Sequence, residues 1–174
     1  MQTNGSAPCH IWHATKDDWQ ALSTIEAASY LAAEGASAES ICGRLAHYPD
    51  HFWLLTTEAD AGGEILAFVN GFVTDERDLT DEMYDHPERH DPNGAWQMIF
   101  SVVTAPAHRG EGCARQLLTR VIADAKAEGR KGIVLTCKER LLPFYAKFGF
   151  VDEGVSASVH GNVVWHQMRR MLHE

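Results

Sequence analysis

The sequence predicts an α/β fold of the α+β type. Three observations support this prediction. Strand-like and helix-like segments alternate along the 174 residues. A long amphipathic helix directly follows an apolar strand near residue 113. Hydrophobic residues make up 45% of the chain, which is enough for the core of one domain.

The first half of the chain is predicted to contain four strands and two helices. Asp17 and Asp18 fall in the first turn of the first helix, where the positive end of the helix dipole favours acidic residues. The second helix ends before Pro49, and Gly62 and Gly63 indicate a turn between two strands. The predicted elements are a strand at residues 11–15, a helix beginning at residue 16, a loop at 30–37, a helix at 38–47, and strands at 52–58, 65–73 and 96–103.

A polar insert at residues 74–94 separates the last two of these strands. It carries eight acidic residues between Asp75 and Asp91. A loop of this length is either a solvated face or a lid over a site. His86 and His90 stand four apart within it, but Pro87 opposes the helix that would bring them together, so no metal site is predicted.

The second half begins with a helix from residue 113 that ends at Gly129. Its apolar positions recur at a helical period and give one stripe that faces a sheet; they are Ala114, Leu117, Leu118, Val121, Ile122 and Ala125. Gly110 and Gly112 precede the helix, where unpaired N–H groups and the positive dipole end collect. This combination predicts a cradle for a pyrophosphate, to which Arg109 could add a charge. Arg115 at the third glycine position departs from the dinucleotide fingerprint.

Charge and cysteine content exclude several classes of function. A formal net charge of -9 argues against a nucleic-acid or anionic-membrane partner, because both need clustered Lys and Arg. No leader-like or membrane-spanning apolar run occurs, which indicates a cytoplasmic protein with residues 1–8 flexible and residues 9–174 as a single domain. Neither zinc nor disulfide spacing connects the four cysteines, Cys9, Cys42, Cys113 and Cys137.

Two motifs together carry a resemblance to a known superfamily. The first is Arg-Gly-Glu-Gly-Cys-Ala at residues 109–114, and the second is Pro-Phe-Tyr-Ala-Lys-Phe-Gly-Phe at residues 143–150, after a buried strand at 132–137. The chain resembles the GCN5-related N-acetyltransferase (GNAT) superfamily over nearly its whole length. Residues 135–145 and 67–87 are similar to the arylalkylamine (serotonin) N-acetyltransferase branch.

The resemblance implies the GNAT fold, with a mixed central sheet of six to seven strands flanked by about four helices. The fourth and fifth strands of this sheet splay apart to admit acetyl-CoA. Backbone groups of Val102, Val103 and Thr104 would then meet the pantetheine arm, and the pyrophosphate would lie on a loop of seven residues. That loop consists of Arg109, Gly110, Glu111, Gly112, Cys113, Ala114 and Arg115. Tyr145 is implied both as a cofactor contact and as the general acid, since a phenol keeps its proton at neutral pH and can donate it to a departing thiolate.

The positions that would accept the amine proton differ from those of the arylalkylamine N-acetyltransferase branch. Its two relay histidines would fall at Met98 and Phe100, and neither side chain can take a proton. Strand alternation places Trp96, Met98, Phe100 and Val102 on one face unless a bulge intervenes. The candidate replacements are Glu26, His86, His90, His160 or ordered water. Phe72, Trp96, Phe100 and the loop of Tyr30 are expected to line an apolar pocket.

The resemblance therefore implies an acetyl-CoA-dependent transferase that acetylates the primary amine of a small, aromatic substrate by direct attack. Two alternatives stay open at this point: a CoA-binding sensor that lost catalysis, and an acetyltransferase for peptide or protein amino groups. The expected partner is a small molecule, with no nucleic acid and no membrane, and the expected state is a monomer or a homodimer.

Overall fold

The computed structural model describes residues 9–29, 35–57 and 63–172. Within these ranges the chain forms an α/β fold of nine strands and five α-helices, which confirms the predicted class. The strands are β1 His10–His13, β2 Phe52–Thr56, β3 Ile65–Asn70, β4 Val73–Thr74, β5 Trp96–Ile99, β6 Ser101–Thr104, β7 Gly132–Cys137, β8 Val151–Val155 and β9 His166–Met171. The helices are α1 Trp19–Ser29, α2 Ala38–His47, α3 Asp81–Tyr84, α4 Cys113–Ala127 and α5 Leu142–Ala146.

Three sequence predictions lie wholly or partly outside the described residues. They concern the flexible residues 1–8, the loop of Tyr30, and the turn that ends at Gly63. Among the described helices, none combines the length and the apolar character that crossing a bilayer requires.

The strands form two sheets that share the centre of the molecule. The first has the order β1-β2-β3-β6 with antiparallel neighbours throughout, and the second has the order β4-β5-β7-β9-β8. Among the described strands, only β5 and β7 pair in parallel, from Trp96 opposite Gly132 to Ile99 opposite Leu135. The chain between them passes through β6 and α4, which supplies the crossover that a parallel pair needs.

Helix α4 packs its predicted apolar stripe against the sheets. Leu117, Leu118 and Val121 are fully buried, and the Trp53 indole N–H donates to the Asp124 carboxylate at 2.8 Å. This core lies on one side of the sheets, and a second core lies on the other side beneath α1 and α2. The sheets are therefore covered on both faces, as an α/β arrangement requires.

Two of the predicted strands are divided, because the chain passes from one sheet to the other at both places. Residues 65–73 separate into β3 and β4, and residues 96–103 separate into β5 and β6. Asn70 lies opposite Ser101, yet its carbonyl also accepts the Phe100 N–H at 2.7 Å. Two residues thus oppose one, which is a β-bulge.

The bulge makes one part of the predicted face assignment wrong. Trp96, Met98 and Phe100 pack towards the core beneath α1 and α2, as alternation predicts. Val102 instead packs against the core beneath α4, and Val103 has moved to the α1 side. The extra residue at the bulge reverses the alternation for every residue after it.

The acidic insert packs against the sheet over part of its length. Leu79 and Met83 are buried in the core beneath α1 and α2. Arg169 of β9 donates to the Arg77 carbonyl at 2.7 Å and to the Asp78 carboxylate at 2.6 Å. The insert is therefore a packed element with an exposed acidic surface, rather than a wholly solvated loop.

Gly71 lies directly against the backbone of Met98, between β3 and β4. A Cβ atom at this position would stand 1.7 Å from the Met98 carbonyl oxygen, which is backbone and cannot rotate away. We predict that Gly71→Ala lowers the free energy of unfolding by about 3 kcal/mol or leaves the chain insoluble. Urea denaturation followed by circular dichroism measures the effect.

Gly43→Ala in α2 is the matched control, because its new Cβ would meet only the Pro87 side chain, at 3.6 Å. That variant should gain up to about 1 kcal/mol, since glycine costs conformational entropy within a helix. Equal stability of the two variants would contradict the close approach.

Candidate functional site

A cleft opens where the two sheets part. β5 and β7 pair as far as Ile99 and Leu135, after which β6 pairs with β3 and the end of β7 pairs with β9. This separation confirms the splayed strands of the predicted fold. A cavity of ≈ 300 Å³ occupies the gap, and both strands line it, through residues 99–102 on one side and 135–138 on the other.

The edge of β6 presents backbone groups to this cleft. The Ala105 N–H donates to the Leu66 carbonyl at 2.8 Å, which makes these two residues a hydrogen-bonded pair. Such pairs alternate along an antiparallel ladder, so the backbone groups of Val102 and Thr104 point away from β3. Those of Val103 point into the sheet. Of the three predicted pantetheine contacts, the register therefore turns Val102 and Thr104 away from β3, and the Ser29 hydroxyl donates to the Thr104 carbonyl at 3.3 Å.

The glycine loop follows β6 after one 3-10 turn at Pro106–His108. Gly110 and Gly112 have φ angles of 81° and 82°, a region that favours glycine. A Cβ atom at either position would meet nothing within 4 Å, so packing does not explain the absence of a side chain. Gly112 caps α4 without a side chain that could accept from the first N–H groups. The open space and the free donors fit an anion.

The remaining loop residues differ in exposure. Arg109, Glu111 and Arg115 are exposed, whereas Cys113 is buried and Ala114 is half-buried. The loop lies outside the cavity lining, on the continuation of the β6 edge. It is thus in the place where the far end of a long ligand would emerge from the cleft.

His108 partly offsets the negative charge beside this loop. Its Nδ1 lies 2.8 Å from the Glu111 carboxylate, and its Nε2 lies 3.5 Å from that of Glu64. The hydrogen bond with Glu111 and the charge of both carboxylates raise the pKa of His108. The imidazole therefore holds a positive charge to higher pH than an isolated histidine.

Tyr145 lines the cavity from α5. Pro143 in the first turn of α5 starts this short helix, and the ring of Tyr145 packs edge-on against Phe144 and Phe150. The residue is 7% exposed. The structure thus places the predicted general acid in the cleft, close to the ends of the splayed strands.

Glu26 enters the same cavity from α1. It is 1% exposed, and the Ser101 hydroxyl donates to Oε1 at 2.9 Å. Oε2 is buried and has no hydrogen-bond partner among the described residues. Burial raises the pKa of this carboxyl, while the Ser101 hydroxyl and the charge of Arg44 act in the opposite direction. Glu26 is therefore a carboxylate whose proton affinity is higher than usual.

Several cavity residues were absent from the sequence predictions, among them Arg44, Ser101, Tyr84 and Trp165. Arg44 interrupts the apolar side of α2 between Ile41 and Leu45, and all three are buried. An arginine at such a position was a usable signal. Ser101 carried no such signal in the sequence, because the direction of its side chain depends on the bulge.

The three histidines predicted as alternative proton acceptors differ in whether they line the cavity. His160 lines the cavity and stacks on Tyr84 at 5.1 Å. His86 is exposed beside Glu88, and neither it nor His90 lines the cleft. Burial and the neighbouring His51 lower the pKa of His90 to about 4.

The predicted apolar pocket is correct for Phe100 and wrong for Phe72 and Trp96. Phe100 lines the cavity, whereas Phe72 is covered by Phe100 and Tyr48 in the core. Trp96 packs beneath the Arg169 guanidinium at the far end of β5. Among the positions equated with the relay histidines, Met98 is also a core residue that does not reach the cleft. In the described ranges no three His, Cys, Asp or Glu side chains gather as a metal site would require.

Comparison with known proteins agrees with this geometry. Residues 12–150 match the model of the acetyltransferase (GNAT) family. A serotonin N-acetyltransferase of Mesocricetus auratus is 27% identical over 89% of this chain and 77% of its own length. Two solved structures share the fold, each with a TM-score of 0.78.

The first of these structures is the loading GNATL domain of CurA from Lyngbya majuscula, which is 14% identical over 95% of this chain and 98% of its own. The second is the GNAT-like decarboxylase GphF in complex with isobutyryl-CoA, which is 20% identical over 94% of this chain and 100% of its own.

The glycine loop leads to a binding prediction. A side chain at Gly112 would occupy the open space in front of the first α4 N–H groups, so we predict that Gly112→Val weakens acetyl-CoA binding at least about tenfold, or ~1.4 kcal/mol. Isothermal titration calorimetry measures it.

Gly129→Val controls for backbone strain, because Gly129 has a φ of 77°, an equally open Cβ direction, and a position at the other end of α4. Unchanged affinity in a folded Gly112→Val variant would remove the loop from the binding site.

Proposed function

Because the chain belongs to the acetyltransferase (GNAT) family, we propose that it acetylates the primary amine of a small molecule bound in the cleft between β6 and β7. As a member of that family it is an N-acetyltransferase, with acetyl-CoA as its co-substrate. One observation supports the proposed reaction above the others. Glu26 and Tyr145 reach the same cavity from opposite elements, so a proton acceptor and a proton donor flank the gap between the strands.

Glu26 takes the role of the missing histidine relay in this proposal. An amine must lose a proton before its nitrogen can attack a thioester carbonyl carbon. Oε2 of Glu26 is the unpartnered atom, and Ser101 fixes the other oxygen. The raised pKa brings the carboxylate closer to the amine in proton affinity, which makes the transfer less unfavourable.

Tyr145 completes the transfer on the other side. As the nitrogen–carbon bond forms and the carbon–sulfur bond breaks, negative charge develops on the sulfur. The phenol donates its proton to that sulfur, and the product is an amide and a neutral thiol. Backbone N–H groups on the open edge of β6 stabilise the charge on the carbonyl oxygen during the attack.

The walls of the cavity favour a small acceptor with an apolar part. Phe100, Tyr84 and Trp165 line it, and its volume of ≈ 300 Å³ is at the lower limit of ligand pockets. A compact amine fits this space alongside the thioester. A sensor without catalysis would not need a proton donor and a proton acceptor on opposite sides of it.

Removal of the Tyr145 hydroxyl tests its chemical role. The ring of Tyr145→Phe still packs against Phe144 and Phe150, but no proton is available for the sulfur. We predict that kcat falls by about 10²–10⁴ while the acetyl-CoA affinity stays nearly constant. Thiol release measures turnover, and calorimetry measures binding.

Tyr48→Phe is the control, because Tyr48 is a buried tyrosine that does not line the cavity. It should retain full turnover. If Tyr145→Phe loses affinity and keeps its turnover, the tyrosine only packs on the ligand. If acetyl-CoA binds but no amine is acetylated by the wild type, the sensor alternative is the better one.

Neutralisation of Glu26 tests the proton acceptor. Glu26→Gln keeps the size and the Ser101 contact, and we predict a loss of about 10²–10⁴ in kcat/KM. In the wild type, kcat/KM should rise with pH through the raised pKa of Glu26, above the range of an ordinary carboxyl. The polar groups around it are Ser101, Arg44, the Ala36 backbone and His160, and all four act to lower its pKa against the larger effect of burial.

The stability of the wild type should fall with pH over the range in which its kcat/KM rises. Because the folded pKa is raised, the wild type loses stability as pH climbs from the unfolded to the folded pKa. Glu26→Gln should therefore have a higher melting temperature than the wild type at about pH 8, and the same melting temperature at about pH 4. The exposed Glu76→Gln serves as control for both measurements. A variant with full activity would show that another group takes the proton.

A further inference from the structure

Among the described residues, Arg44 is a buried cation without an anionic hydrogen-bond partner. Its side chain is on α2, is 3% exposed, and donates to the Asn70 Oδ1 at 3.1 Å and to the Tyr84 carbonyl at 3.3 Å. Both acceptors are neutral. The Nε atom is buried and has no partner in the part of the chain that the structure describes. A charge removed from water in this way is unfavourable unless an opposite charge compensates it.

The guanidinium faces the same cavity as Glu26. Its Cζ atom lies 5.3 Å from the centroid of the Phe100 ring and 6.0 Å from that of the Tyr84 ring. Both rings line the cavity, and they restrict the orientation of the guanidinium group. Arg44 and Glu26 influence each other through their charges, yet neither forms a direct ion pair in the described ranges. Two opposite, buried charges thus border the same cavity without a direct ion pair between them, and the more exposed Asp85, Lys138 and Arg140 also line it.

We propose that the acceptor is an amino acid with an apolar or aromatic side chain, bound with its amine at Glu26 and its carboxylate at Arg44. This inference rests on the proposed function and specifies its substrate class. Tyr84, Phe100 and Trp165 would surround the side chain, and the amine would lie beside Ser101, next to the open edge of β6.

A zwitterion matches this space better than a simple amine does. A cationic amine would interact with Glu26 but leave the guanidinium buried without an anion, and it would also be repelled by it. A carboxylate supplies the missing acceptor for Nε in the fork geometry that arginine offers. A site with such a buried donor discriminates strongly against a ligand that lacks the matching group.

Matched acceptors test the proposal directly. Thiol release would be followed with L-phenylalanine, L-leucine and L-methionine, each compared with its carboxamide, and with phenethylamine. The carboxamides keep the size and the amine but lose the anion. We expect kcat/KM for the best amino acid to exceed that of its amide by about tenfold or more, because a hydrogen bond to a charged group is lost.

Substitutions of single arginines identify which cation causes the preference for the carboxylate. Arg44→Met should reduce the ratio of the two kcat/KM values to nearly one. Arg140→Gln should leave the ratio intact, although Arg140 also lines the cavity. The exposed Arg120→Gln on α4 controls for the general loss of a positive charge.

The outcomes separate this inference from the function on which it rests. Acetylation of phenethylamine and the amides without preference for the carboxylate would overturn the amino-acid proposal and leave the amine acetyltransferase standing. The same holds if the preference disappears in Arg140→Gln and survives in Arg44→Met. If no acceptor releases thiol while acetyl-CoA binds, the proposed function itself is wrong.

Discussion

The bulge at Phe100 and Ser101 is the constraint on which the site depends. Both residues lie opposite Asn70, and the close passage of Gly71 over Met98 fixes the crossing of the two chain segments. Beyond the bulge the chain leaves β7 and joins β3, so the cleft opens and the edge of β6 becomes available. The same extra residue turns the Ser101 side chain towards α1, where it meets Glu26. Without the bulge, strand alternation would direct this hydroxyl to the opposite face.

The cleft contains two buried charged residues that are unfavourable for folding but useful for the proposed reaction. Glu26 and Arg44 are both almost fully buried, and each has a polar atom without a hydrogen-bond partner among the described residues. Such atoms cost stability, typically about 1–3 kcal/mol each. The surrounding apolar cores of α2 and α4 offset this cost. An enzyme that must remove a proton from an amine gains from the same burial, because desolvation raises the proton affinity of the carboxylate.

Local signals in the sequence were sufficient for several of the elements around the cleft. The α4 stripe, the helix at Ala38–His47 and the two glycines before α4 follow from periodicity and backbone freedom within a few residues. The bulge and the side-chain contacts of Glu26 and Arg44 could not be predicted in this way. Ser101 and Glu26 are 75 residues apart and Arg44 and Asn70 are 26 apart, so their pairing depends on tertiary contacts. The histidines of the acidic insert were plausible in sequence, but folding places His90 in an aromatic core.

Asn70 links the strand crossing to the buried cation. Its backbone carbonyl accepts the Phe100 N–H at the bulge, and its side-chain oxygen accepts from Arg44. Loss of the guanidinium would leave that oxygen buried without a donor, which carries a desolvation cost of its own. A change at Arg44 can therefore reach the β6 edge through Asn70, as well as act directly on a bound carboxylate. In the proposed site Arg44 would therefore affect both the shape of the β6 edge and the recognition of the carboxylate. The ratio of the rates with two acceptors separates these two roles, and the absolute rate does not.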